Sequence, residues 1–216
     1  MEDIYRPYKP KRKTRASVAI ANGLQPLADA IEAQKPFDVE AEAAKFINDN
    51  VLDIDAALQG AKDIIAERIS DDADLRKTLR EVLWEKASLA CSLLDGEIKL
   101  TYEGSDNFKH AVNKLPSHRI LAINRGEKEK CLKVNVEINQ ELLLKEIRLV
   151  YKKENACTDQ IIEEVIVDSL DRLLFPALER ELRSTITDNA CEQAIKMFEV
   201  NLKPLLRVAS GTRVVP

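Results

Sequence analysis

Scarcity of glycine limits what this chain can fold into. Six glycines stand in 216 residues, whereas all-β folds and phosphate-cradling α/β folds need many for tight turns at positive φ. Leu, Ala, Glu, Lys and Ile dominate instead, a composition that favours helix. The expected fold is therefore mainly α. With 45% hydrophobic and 32% charged residues, such a chain can bury a core and is not compositionally disordered. The formal net charge of −4 argues against a surface devoted throughout to nucleic acid, and leaves room for a local basic patch. Aromatic residues are only 5%, with one tryptophan, Trp84, which disfavours a base-stacking platform.

Apolar residues recur at helical spacing along most of the chain. Leu24, Leu27, Ala28 and Ile31 form one stripe. Val39, Ala43, Phe46 and Ile47 form another behind Asp38, which is placed to cap it. Leu58, Ala61, Ile65 and Ile69 follow. Asp71 or Asp72 then introduces a long helix whose stripe is Leu75, Leu79, Val82, Leu83, Lys86 and Ala90. After Asn139 come a helix over "QELLLKEIRLVYK", a polar break, and a segment from Thr158 or Asp159 with apolar residues from Ile161 to Leu173. Pro176 marks a kink or a fresh first turn. The last stripe runs Leu178, Leu182, Ile186, Ala190, Ala194, Met197 and Leu205. A helix from Pro176 to Leu206 would be roughly 45 Å long, so it either breaks near Asp188 or serves as a spine.

The middle of the chain differs. Asp95-Gly96 is a turn signal, and Ile98, Leu100 and Tyr102 alternate as in a strand. Leu132, Val134, Val136 and Ile138 alternate likewise. Between them, two short helices broken at Pro116 are expected, with Ser117 capping the second. The expected fold is thus a multi-helix domain with a long C-terminal helix and a small two-strand β element.

Two basic segments are candidates for phosphate contact. The head, "DIYRPYKPKRKTRAS", includes Lys9, Lys11, Arg12, Lys13 and Arg15, and Pro7 and Pro10 keep it extended. Cations so placed give salt-sensitive, sequence-independent binding. The plain alternative is a docked connector whose arginines pair with acids of the helical body. In "PSHRILAINRGEKEK", His118, Arg119, Arg125 and Lys128 would cluster on a helix. There the plain alternative is that Ser117 caps, Ile120, Leu121 and Ile123 pack, and Arg125-Gly126 ends the helix. The acid pairs Glu163-Glu164 and Glu179-Glu181 read as solvated helix faces. Cysteines 91, 131, 157 and 191 have no CxxC spacing and read as free thiols of a reducing, cytoplasmic setting. No catalytic constellation, metal site or cofactor motif is legible. No apolar run is long enough to cross a membrane, so no membrane partner is expected.

The phrases "YRPYKPKRKTRASVA", "GLQPLADAI", "AAKFIND", "GAKDIIAERISDDADLR", "PSHRILAINRGEKE", "DSLDRLLFPALERELRSTI" and "AIKMFEVNLKPLL", in that order, resemble the Tex family of bacterial transcription accessory proteins. The resemblance runs over essentially the whole chain. It implies a central helical region at 23–209, preceded by a basic extended connector at 1–22; within that region, one continuous domain with a lobe at 96–138 is the expected organisation. It also implies that 210–216 begin a truncated ribonuclease H-like domain. Members of this family carry an S1 RNA-binding domain and bind nucleic acid, RNA or DNA, mainly through domains other than this region. The expected role is a non-enzymatic scaffold that orders neighbouring Tex domains and adds basic contacts. The alternative is a protein-interaction module for the transcription machinery. A nuclease would need converging carboxylates that the sequence does not present.

Overall fold

The computed structural model describes residues 13–94, 108–153 and 158–209. The chain forms two compact units. The first combines Met1–Val82 with Asn139–Leu178, and the second combines Leu83–Ile138 with Glu179–Pro216.

The first unit is helical. It contains α1 (Arg15–Ala21), α2 (Gln25–Ala33), the short α3 (Val39–Ala43), α4 (Ile54–Asp71), most of α5 (Ala73–Lys86), α7 (Gln140–Tyr151) and α8 (Asp159–Asp168). Its centre is α4, against which α1, α2 and α8 pack. Ala57, Ala61, Ile64, Ile65 and Ile69 of α4 are buried. They meet Leu24, Leu27, Ala28 and Ile31, the stripe read from the sequence, and all four of those are buried too. Each fully buried Leu or Ile contributes about 1.5–3 kcal/mol relative to exposure.

The ends of these helices are explained by their residues. Thr14 and Ser17 form a reciprocal capping box at α1. The extended reading of the head therefore stops at Thr14, because seven residues after it are helical. At the other end of α1 the Leu24 N–H bonds Ala19 O and the Gly23 N–H bonds Ile20 O. This paired closure needs positive φ, and Gly23 supplies it at +82°. Asp38 caps α3 as expected, but regular α-helix stops at Ala43 and Ile47 is 45% exposed. Asp72 is the acid that leads α5, accepting from the Asp74 and Leu75 N–H groups. Its other oxygen accepts from the Tyr151 hydroxyl at 2.8 Å, which ties the end of α7 to the start of α5.

Two buried charges are accommodated. Asp63 is 7% exposed and accepts from Arg172 Nη2 at 2.9 Å, and Arg172 also binds Asp168. Arg76 is wholly buried, with Nη1 directed to Ser70 O. Beyond Asp168 the helix continues through a π-helical turn at Ser169–Leu174 into α9 (Phe175–Ala209). Pro176 follows directly on the π-helical turn, where the ladder changes from five-residue to four-residue spacing and a missing N–H is tolerated. Of the alternatives for the last helix, the continuous one is realised: α9 has 35 residues and does not break at Asp188.

The second unit holds a three-stranded antiparallel sheet, order β2-β1-β3, of β1 (Ser88–Leu93), β2 (Phe108–Ala111) and β3 (Leu132–Glu137). Leu89 lies opposite His110 and Val136, and Cys91 opposite Phe108 and Val134. The expected strand at Leu132 is present. The expected strand at 98–102 falls outside the described residues. Two readings are corrected. The helix entering this unit ends at Lys86, and "SLACSL", read as its continuation, is the central strand. Phe108–Ala111, read as helix, is an edge strand followed by a 3-10 turn. In both places pairing with residues distant in sequence overrides local propensity. The helix α6 (Ser117–Lys128) packs on β3, and residues 183–193 of α9 lie antiparallel to α6.

Candidate nucleic-acid interface

The helix α6 carries three of the basic candidates. Pro116 precedes it at φ −70° and its carbonyl accepts from Arg119 and Ile120. Ser117 is not the cap: its hydroxyl donates to Gln193 Oε1 of α9. Nor does the helix end at Arg125-Gly126. Gly126 is buried inside it, and the chain turns at Lys130, whose φ is +58°. There the Cys131 N–H bonds Gly126 O and the Lys130 N–H bonds Glu127 O, the same closure as at Gly23 but built on a lysine.

Ile120, Ile123 and Gly126 form the inner face. His118, Arg119, Ala122, Arg125 and Lys128 are exposed. At about 100° per residue, His118, Ala122 and Arg125 stand in line, with Arg119 and Lys128 on the flanks. Glu127, the one acid within α6, is engaged by Arg183 of α9. Residues 108–138 hold seven Lys or Arg against three acids, and a second acid, Glu137, pairs with Lys109 at 2.7 Å. The outward side of α6 is thus a cationic ridge suited to contacting an anionic polymer without reading its sequence.

Lys13 and Arg15 are exposed at the start of α1, in the first unit. Lys9, Lys11 and Arg12 lie outside the described residues. The structure therefore brings His118, Arg119 and Arg125 onto one helix and places Lys13 and Arg15 in the other unit.

Arg183 was not legible as a site residue. Its Nη2 donates to Glu127 and, at 3.3 Å, to Asn124, and its Nη1 is buried without a hydrogen-bond partner. It borders an open groove of about 510 Å³ lined also by Val134, Glu179 and Thr187. The partners of Arg183 are 56 and 59 residues away, so no spacing in the sequence announces it. Burial pushes the nearby Cys91 thiol up, away from thiolate reactivity. Cys91 and Cys131 are buried, and Cys191 is exposed. Among the described residues no group of three or more His, Cys, Asp or Glu is arranged to hold a metal ion. No described helix is long and apolar enough to cross a membrane.

A family model described as Tex central region-like matches residues 34–198. A Bacillus subtilis protein named YdcI is 39% identical over 213 residues, which are 95% of this chain and 30% of that protein. The transcriptional accessory protein Tex of Neisseria gonorrhoeae is 35% identical over 222 residues, 99% of this chain and 29% of that protein. A human protein named S1 RNA-binding domain-containing protein 1 is 28% identical over 226 residues, 95% of this chain and 22% of that protein. The chain thus spans less than a third of the length of the relatives it matches, and their names describe transcription accessory or uncharacterised proteins rather than enzymes. A helical chain with a small antiparallel sheet and a long last helix, matched by that family model over most of its length, belongs to the Tex central region-like family.

Proposed function

We propose that this chain is the non-enzymatic helical scaffold region of a transcription-associated, nucleic-acid-binding protein of the Tex type, acting in the cytoplasm to keep neighbouring domains in order. The observation that carries this reading is α9. One uninterrupted helix supplies Leu178 to the core of the first unit and Leu182, Ile186 and Ala190 to the core of the second. From Leu178 to Ala190 the helix keeps its internal hydrogen-bond ladder, so it suits an ordering element better than a loop does. The reading is tested in a full-length relative in which this chain replaces the matching region, with Asp188-Asn189 changed to Pro-Gly. Small-angle scattering should report a more extended particle than the unbroken chimera gives. An unchanged profile refutes the role.

To this scaffold the basic residues add contacts with RNA or DNA phosphates: Lys13, Arg15 and the rest of the head (Lys9, Lys11, Arg12), and His118, Arg119 and Arg125 on α6. Fluorescence anisotropy with single-stranded RNA and duplex DNA over a salt series tests them. Each lost phosphate contact lowers the slope of log affinity against log salt by about one unit. Alanine at the five head positions and at Arg119 and Arg125, in separate variants, assigns the contacts. No binding at low salt removes the nucleic-acid part of the proposal. Binding to a transcription protein without a salt slope would favour an interaction module instead.

A further inference from the structure

The sheet of the second unit has an open side at β3. The Leu94 N–H bonds Cys131 O at 2.9 Å, so the antiparallel register turns the backbone groups of Lys133, Asn135 and Glu137 towards β1. The N–H and C=O groups of Leu132, Val134 and Val136 point the other way, off the edge of the sheet. Such groups are strong donors and acceptors, and a row of them is a template for one more strand. Proteins commonly guard a row of this kind with proline, a bulge or a very short strand. β3 has no such guard: it runs for six residues in unbroken register with β1.

The edge itself shows what kind of group fits there. The Val136 N–H donates to Glu179 Oε1 at 3.2 Å, so a carboxylate oxygen stands where a neighbouring strand would place a carbonyl. Among the described hydrogen bonds, none is made by the outward groups of Leu132 or Val134. The edge is thus stopped at Val136 and open at Leu132 and Val134. Against this opening lies the groove of about 510 Å³, walled by α6 and α9 with Val134 in its lining. Its size falls within the range of about 300–1,000 Å³ usual for binding sites. Val134 is half-buried and shares a face with the buried Leu132 and Val136. A strand laid beside it would therefore send alternate side chains into the groove. The charges there are unbalanced: Glu127, Glu179 and Asp188 stand against Arg180 and Arg183, and Glu127 already engages Arg183. The surplus acid suits a long basic side chain.

We propose that the open edge of β3 takes an extended peptide from a partner protein as a fourth, antiparallel strand, seated on Leu132 and Val134 with a lysine or arginine opposite Val134. Main-chain bonds supply the affinity in this mode of recognition, and the side chain in the groove supplies the selectivity. Glu179 sets the register, because it holds the Val136 N–H. The phosphate contacts of α6 are not involved, since His118, Arg119 and Arg125 do not line the groove.

Fluorescence anisotropy of the purified chain with a labelled, end-blocked peptide, Ser-Thr-Val-Thr-Lys-Thr-Val-Thr-Ser, tests this. The peptide should bind with a Kd below about 1 mM, and glutamate in place of its lysine should weaken binding about ten-fold or more. Hydrogen-bond parity gives the sharper test. N-methylation of the lysine removes the donor to Val134 O and should abolish binding, whereas N-methylation of the threonine on either side, whose N–H faces away, should not. Val134→Pro removes the outward N–H and no bond to β1, so circular dichroism should show a folded chain that no longer binds. Asp188→Lys, at an exposed position, should invert the preference between the lysine and glutamate peptides. Amide exchange read by NMR needs no peptide: the Val134 amide should exchange fast in the free chain while those of Lys133 and Asn135 are protected. A slow Val134 amide means that the edge is already covered, by this chain or a second copy, and overturns the proposal. So does absence of binding at about 1 mM peptide. Binding indifferent to the parity of N-methylation overturns it too, because that is adhesion to the groove without an added strand.

Discussion

Gly60 sits in the interior of α4, where alanine would normally be the better residue by about 1 kcal/mol. Here the neighbours oppose it. A Cβ at this position would stand 2.3 Å from Leu24 Cδ1 and 3.2 Å from Ala19 Cβ. Leu24 would have to retreat by more than 1 Å to reach an ordinary contact distance of about 3.5 Å. It is 2% exposed and follows directly on the Gly23 turn, so it has little room to do so. Overpacking of this kind costs about 1–3 kcal/mol. The two effects leave Gly60→Ala destabilising by about 1 kcal/mol. Urea unfolding followed by circular dichroism measures this, and a double-mutant cycle isolates its cause. Leu24→Ala alone should cost about 2–5 kcal/mol. In that background the obstructing methyl is gone, and Gly60→Ala should become stabilising by about 0.5–1 kcal/mol, a coupling of about 1–2 kcal/mol. If Gly60→Ala stabilises the parent, or costs the same in both backgrounds, then contact with Leu24 is not what keeps glycine at this position.

Other substitutions probe the buried polar contacts and the turns. Arg172→Met strands the buried Asp63 carboxylate and should destabilise by about 2–4 kcal/mol in urea unfolding, while Asp63→Asn/Arg172→Met should recover part of the loss. Gln34→Ala removes both the bond to Tyr151 O at 2.6 Å and that from the Lys153 N–H at 2.9 Å, and should cost about 1–3 kcal/mol. Lys130→Gly relaxes a lysine held at φ +58° and should raise the melting temperature, gaining up to about 1 kcal/mol. Hydrogen bonds from Arg148, outweighing burial, hold the Glu163 carboxyl below the usual range, with Lys152 adding to them. Its contribution to stability is therefore present above the unfolded carboxylate pKa of about 4.3 and lost as pH falls through the lower folded value. Glu163→Gln should flatten the acid limb of a stability–pH curve, and a limb unchanged in shape would rule out this pair as its source.

Most helices were legible because their apolar stripes are local. Leu24 to Ile31 and Leu75 to Leu83 needed only helical spacing to be read, and both became core. The central strand was not. "SLACSL" follows a helix in phase, since Leu83 and Ala87 continue its stripe, and only pairing with Phe108–Ala111 and Leu132–Glu137 makes it β. For the last helix the sequence left a break near Asp188 and a continuous spine both open, and its burial was misread, because its stripe stays in the core only to Ala190, while Met197 is 68% exposed. The α6 cations could be named from composition and spacing. Their ridge depends on Glu127 being drawn away by Arg183, a contact across 56 residues. Asp63 and Arg76 gave no sign of burial, because a charged residue declares its partner only in three dimensions.

The π-helical turn at Ser169–Leu174 takes up one residue more than the α-helix around it would need. A helix is a screw, and each residue advances it by about 100°. A π turn bonds i to i+5 and so takes up more chain per revolution than the α-helix before and after it. Removing one residue there would let the ladder close into plain α-helix over the same revolution, so the thread beyond would keep its phase. Leu178 would still face the core of the first unit. The six residues from Ser169 to Leu174 thus act as a slack turn, and a one-residue deletion there should be tolerated better than one between Phe175 and Leu178, which would turn Leu178 away from its core by about 100°.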